Sequence, residues 1–288
     1  MSVHAVVAVC LLTVREMARR RLLWLLLGLS IVSVVLVGWV VTQLVDYARG
    51  AGMPEARVAL GVSQVLVFVA FMFSFVLAMS AAFLAAPAIA GDVESGTALA
   101  MLARPISRAD LVVGRWIGLS LITAAYAIAS GVLAIGAVAQ VSGYVPPDPV
   151  VAVGCLTGEA IATLTLALAL GTRLPAIAAG SIAVVCFGIS WFGGVLSSAA
   201  GLLRAEALVP SLDVLRVAMP TDLLWRGVVH ALEPPLAQLL ARGLDPRGFA
   251  ADPFFALMPL SLPSLLWAIT WTAGVLLVGV LAFGRREL

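Results

Sequence analysis

Lysine is absent from this 288-residue chain, and all 17 of its basic residues are arginine. A phosphate-binding loop of the form G-x-x-x-x-G-K-[ST] needs the lysine, so this polypeptide cannot hold that kind of ATPase site. A Schiff-base chromophore is excluded in the same way, because it needs a lysine amine. Charge of either sign is scarce, at 11% of residues against about 25% in soluble domains. Hydrophobic residues make up 62% and mean hydropathy is +1.13, which would leave a soluble fold of this size without a polar surface. A net charge of +2 with no basic tract excludes nucleic acid as a partner. The two histidines, His4 and His230, lie far apart, and Cys10, Cys155 and Cys186 sit in apolar runs without C-x-x-C spacing. No cluster has metal-ligand spacing, and the cysteines read as small buried hydrophobes. G-x-S-x-G and H-E-x-x-H are also missing, so an intramembrane hydrolase has no support.

Long apolar runs fill the space that charge leaves. Six of them are long enough to cross about 30 Å of hydrocarbon. They run from Leu22 to Val45, Val58 to about Pro87, Leu111 to Val141, Val150 to Leu170, Pro175 to Ala200, and Leu262 to Gly284. The sequence therefore predicts an all-α integral membrane protein with six transmembrane helices. Residues 1–21 precede the first span, and 22–288 form the membrane domain. Within Ser2 to Arg20, Val3, Val6, Val7, Cys10, Val14 and Met17 recur at helical spacing, while His4, Thr13, Glu16 and Arg20 fall largely elsewhere. That pattern predicts an interfacial amphipathic helix, with an apolar run too short to span. Its positive charges follow the apolar run, whereas a signal peptide carries them before it, so the segment is expected to be retained.

Arginine placement sets the orientation. Arg15, Arg19, Arg20, Arg21, Arg104, Arg108, Arg115, Arg173, Arg285 and Arg286 fall on one side, and only Arg49 and Arg57 fall in short loops on the other. By the positive-inside rule both termini are cytoplasmic in a multi-pass inner (plasma) membrane protein. The 201–262 segment is then external. In it, Thr221 and Asp222 start a helix whose Leu223, Leu224, Gly227, Val228 and Ala231 oppose Arg226, His230 and Glu233. Pro235 starts another that ends at Gly243. These helices are expected on the outer leaflet or capping the exit of the bundle.

One densely charged island interrupts the apolar runs, from Gly91 to Arg115: GDVESGTALAMLARPISRADLVVGR. Gly91, after Pro87, is read as the end of the preceding helix. Asp92, Glu94 or Ser95 then starts a short helix to about Ala103, with Arg104 at its negative end. Pro105 stops it, and Ser107 caps the next span.

The order Glu94, Gly96, Thr97, Leu102, Pro105, Ile106, Ser107, Arg108, Gly114, Arg115 resembles the signature of ABC-2 type transporter permeases. That signature reads roughly E-x-G-T, several apolar residues, P-[IV]-S-R and then G-[KR]. The resemblance implies that segment 91–110 carries a cytoplasmic coupling helix seated on an ABC ATP-binding subunit. Asp92, Glu94, Gly96, Thr97, Pro105, Ser107 and Arg108 are its docking residues, with Glu94 and Arg108 the polar contacts. It further implies two permease subunits, identical or related, and two ATP-binding subunits that carry the ATP and Mg, with no cofactor bound by this chain.

Two functions follow from that resemblance. The first is an ATP-driven permease, acting as an exporter; the second is a membrane subunit that transmits force to a periplasmic partner, motivated by the length of segment 201–262. Glu159, about nine residues inside the fourth span, has two readings: a functional intramembrane carboxylate, or a group near the outer interface bonded to Thr157, Thr163 or water. The Gly114–Gly118 and Gly154–Gly158 spacings allow close helix contacts, including contacts between subunits. Trp24, Trp39, Trp116, Trp191, Trp267 and Trp271 are read as interface anchors.

Overall fold

Each apolar run becomes a helix, because a chain in hydrocarbon must satisfy its backbone groups internally. The computed structural model describes residues 2–19, 21–97, 106–202, 205–244 and 252–286. In chain order the helices are α1 (Val3–Ala18), α2 (Arg21–Gly50), α3 (Glu55–Glu94), α4 (Arg108–Ser142) and α5 (Pro149–Gly171). They continue with α6 (Ala176–Leu202), α7 (Val209–Ala218), α8 (Thr221–Leu232), α9 (Pro235–Leu244) and α10 (Leu262–Gly284). The described residues contain no strand. Six helices, α2 to α6 and α10, are long and apolar enough to cross a membrane, as the hydropathy pattern predicts.

The centre of the bundle is α5 against α3. Ala81, Ala82, Ala85 and Ala86 on α3 and Ala160, Leu164, Ala167 and Leu168 on α5 are buried, and the small side chains let the two backbones approach closely. Peripheral helices do the opposite. On α2, Trp24, Leu25, Val32, Val35 and Trp39 are exposed, as are Leu266, Ile269, Val278 and Leu281 on α10. Such faces would be untenable in water and suit contact with lipid. The indoles of Trp267 and Trp271 donate to the carbonyls of Val217 and Ala218, closing the C-terminal end of α7 onto α10.

Helix α1 packs against α4 through two glycines. A Cβ added at Gly114 would lie 2.6 Å from Val9 Cβ, and one at Gly118 would lie 2.7 Å from Thr13 Cβ. The G-x-x-x-G pair is therefore used inside the chain. This also selects the buried face of α1, which is Val9, Cys10, Thr13 and Met17, whereas Val3 and Val7 are exposed. Thr13, expected on the polar side, is buried because its hydroxyl bonds the carbonyl of Val9 and its methyl fills the groove over Gly118.

Two expectations need correction. Helix α3 does not end at Gly91; it continues through Pro87 and Gly91 to Glu94 and is 40 residues long. A proline removes only its own ladder bond, which membrane helices tolerate, and a partner described below holds the last turn in place. Asp92 and Glu94 are thus in a last helical turn, not a first. The short helix expected up to Ala103, with Arg104 and Pro105, lies outside the described residues, as does Arg20. Second, α8 begins at Thr221 as expected but does not present a polar face to solvent: Asp222, Trp225, Val229, Leu232 and the following Glu233 are buried together with the apolar stripe. It is built into the bundle against α5.

Gly118→Val should push α1 off α4 and cost about 1–3 kcal/mol, the usual penalty for overpacking. Gly136→Val, where an added Cβ meets nothing, should be near neutral. Thermal unfolding in detergent, with protease access to residues 3–18, reads both.

Candidate functional site

Where α3 ends and α4 begins, an arginine is buried between two carboxylates. Arg115, 3% exposed, donates to Asp92 Oδ2 at 2.8 Å and to Glu16 Oε2 at 2.6 Å. It lies near the start of α4, Asp92 in the last turn of α3 and Glu16 in α1, so one guanidinium joins three helices. The planar fork of arginine, with donors on both sides, suits this bridging geometry. Sequence reasoning placed Arg115 in the motif without giving it a role, and placed Glu16 on the opposite face. No local pattern singled Glu16 out, because it follows Arg15 directly and has Arg19, Arg20 and Arg21 within five positions.

Around this bridge the helix ends are closed. Ser107 Oγ accepts from the Asp110 N–H, and Asp110 Oδ2 accepts from the Ser107 N–H, both at 3.1 Å, a reciprocal cap at the predicted start of α4. Asp110 Oδ1 also accepts from the Ser2 N–H at 3.1 Å, drawing the start of α1 to the same point. Arg108 donates to the carbonyls of Phe283, Gly284 and Arg286 at the end of α10, and Arg286 donates to the Thr172 carbonyl at 2.6 Å. Cations at these C-terminal ends satisfy orphan carbonyls and oppose the helix dipole.

The docking residues named from the motif therefore divide. Glu94, Ser95, Gly96 and Thr97 are exposed and form a corner leaving α3. Gly96 has φ +74°, a left-handed turn, and the Ser95 and Thr97 hydroxyls bond each other across it at 2.8 Å. Asp92, Ser107 and Arg108 are instead engaged within the chain, and Pro105 lies outside the described residues.

The opposite end carries a second ionic cluster. Asp222 Oδ2, in the first turn of α8, accepts from Arg226 Nε at 3.2 Å and from Arg216 Nε. The carboxylate presses on the backbone of α6: a Cβ at Gly194 would overlap it. Arg226 also donates to the Gly194 carbonyl at 3.1 Å and Ser198 Oγ at 2.7 Å, so α6, α7 and α8 are tied at one point.

Between the ends, Glu159 is buried at 1% exposure in α5. Its Oε2 accepts from Ser74 Oγ of α3, and its Oε1 has no partner among the described residues. Thr163 bonds its backbone carbonyl, not its carboxylate, and Thr157 bonds Val153. Trp191 is likewise not a surface anchor. Its ring packs 5.0 Å from Phe71, and its Nε1 is buried without a partner among the described residues. Trp116 donates to Thr165 Oγ1 at 2.8 Å, which ties α4 to α5.

Compared with known proteins, residues 11–288 match the family model described as "ABC-2 family transporter protein". No curated protein matches the chain.

Glu233, buried after α8, supplies a test of the packing at the second end. Burial, reinforced by nearby Asp252, pushes its carboxyl up to about 8, while the Ala256 N–H and Gln64 partly offset this. A carboxyl that holds its proton more tightly when folded loses stability on ionising, so the fold should weaken as pH rises from about 4.5 to about 8 and change little above that range. Glu233→Gln should flatten that slope. Unfolding midpoints across the interval check it.

Proposed function

This chain belongs to the ABC-2 family of transporter proteins, and on that premise we propose that it is the membrane-spanning subunit of an exporter driven by a separate ATP-binding subunit. The observation that carries the reading is the exposed Glu94–Thr97 corner, braced from behind by the buried Arg115 bridge. A surface that receives force must be accessible to its partner and stiffly joined to the helices it moves. The corner meets both requirements, since it follows the last turn of α3 and Arg115 ties that turn to α4.

ATP and Mg bind the partner, because this chain has no lysine for a phosphate loop. Two ATP-binding subunits act on two copies of this chain, and their closure presses on the 91–110 segments from the cytoplasm. Asp92 and Arg115 pass the displacement to α3 and α4, and Glu16 carries α1 with them. The bundle then exchanges an inward-facing for an outward-facing path. Both termini stay on the cytoplasmic side of the inner membrane. Transmission of force to a periplasmic protein draws less support, because α8 is built into the bundle and does not project from it.

Tagged, gently solubilised chain should co-purify with a Walker-motif ATPase identified by mass spectrometry. Glu94→Arg should lower that recovery about tenfold, the loss of roughly 1.4 kcal/mol of docking energy. Arg57→Glu, remote at the start of α3, should leave it unchanged. Absence of any ATPase, or equal recovery with Glu94→Arg, would overturn the proposal.

A further inference from the structure

Two cavities meet at Leu260. One, of about 390 Å³, has Arg216 and Arg226 in its wall beside Ser261 and Ser264. The other, of about 580 Å³, is an apolar groove between α5 and α10, with Gly154, Gly158, Leu265, Ile269 and Thr272 among its walls. Both volumes lie in the range of ligand sites. Leu265 and Ile269 are exposed on a membrane-spanning helix, so the groove opens toward lipid.

Among the described residues the charge of the first cavity is not balanced. Two guanidiniums share the single carboxylate of Asp222, and Arg216 spends only its Nε on it among the described residues. The other acid on α7, Asp213, accepts from Ser197 Oγ at 2.7 Å and does not line the cavity. A cationic mouth with donor groups to spare thus sits at the end of an apolar trough. The Ser261 and Ser264 hydroxyls, bonded to each other at 2.8 Å, add neutral hydrogen-bonding capacity.

We infer that this composite cavity binds one anionic phospholipid drawn from the surrounding leaflet. Its phosphate pairs with Arg216 and Arg226, and one acyl chain lies in the α5–α10 groove. Arginine favours phosphate because its fork matches two oxygens at once. A zwitterionic lipid would bring its own cation to the same mouth and lose that advantage. This site is separate from the ATP-coupled reading, since it requires only the membrane bundle and neither nucleotide nor partner.

The test is native mass spectrometry of the full chain taken from vesicles of equal phosphatidylglycerol and phosphatidylcholine. One phospholipid should remain bound per chain, enriched in phosphatidylglycerol. Arg216→Gln should reduce that enrichment by roughly fivefold to tenfold, the effect of one charge-assisted bond, while total retained lipid holds. Gly154→Leu fills the groove at a position where an added Cβ meets nothing, and should lower total lipid of both kinds. Gly136→Leu, equally free of clashes but outside the groove, should change neither quantity. Unchanged selectivity in Arg216→Gln, unchanged occupancy in Gly154→Leu, or an equal loss in Gly136→Leu would overturn the site.

Discussion

A guanidinium shut away from water cannot be left alone, because an unpaired buried ion costs several kcal/mol. Arg115 imposes that constraint here, and three features answer it. Helix α3 runs past its proline and glycine so that Asp92 reaches the arginine. Gly114 and Gly118 let α1 approach α4 closely enough for Glu16 to do the same. The next residues of α3, Glu94 onward, then emerge at a fixed place and remain exposed. Ion pairing, glycine packing and the location of the corner are consequences of one buried charge.

The same logic recurs at the far end with the signs exchanged. There the buried group is the carboxylate of Asp222, and two arginines from α7 and α8 surround it against the bare backbone of Gly194. Helix α3 links the two levels: Asp92 stands in its last turn, while Ser74 bonds Glu159 of α5 midway along. A continuous helix of 40 residues spans about 60 Å at 1.5 Å per residue. The corner and the middle of the bundle are thus joined by a single continuous rod.

What the sequence made legible were features whose cause is local. The spans follow from run length and hydropathy. The cap at Ser107 follows from a serine and an aspartate three apart, and the start of α8 at Thr221 and of α9 at Pro235 follow from their end chemistry. Features with a distant cause were not legible. Gly91 is as good a helix stop as any until Arg115, 24 positions later, holds the turn that follows it. Thr13 and Glu16 look like a polar face until Gly118 and Arg115 come against them. Glu233 looks like the solvent side of α8 until residues 252–256 cover it. Of the residues that the motif named for docking, Glu94, Gly96 and Thr97 are exposed, whereas Asp92 and Arg108 find partners no local pattern announces.

The central claim is that Arg115 and Asp92 act as a unit holding α3 to α4. A double-mutant cycle of Asp92→Asn and Arg115→Met, read as unfolding free energies of the full chain in one detergent, addresses it directly. The account predicts a coupling of about 1 kcal/mol or more, because both changes remove the same ion pair of a buried guanidinium. Free energies that add to within about 0.5 kcal/mol would mean that the two groups are independent, and the bridge would not be what fixes the corner.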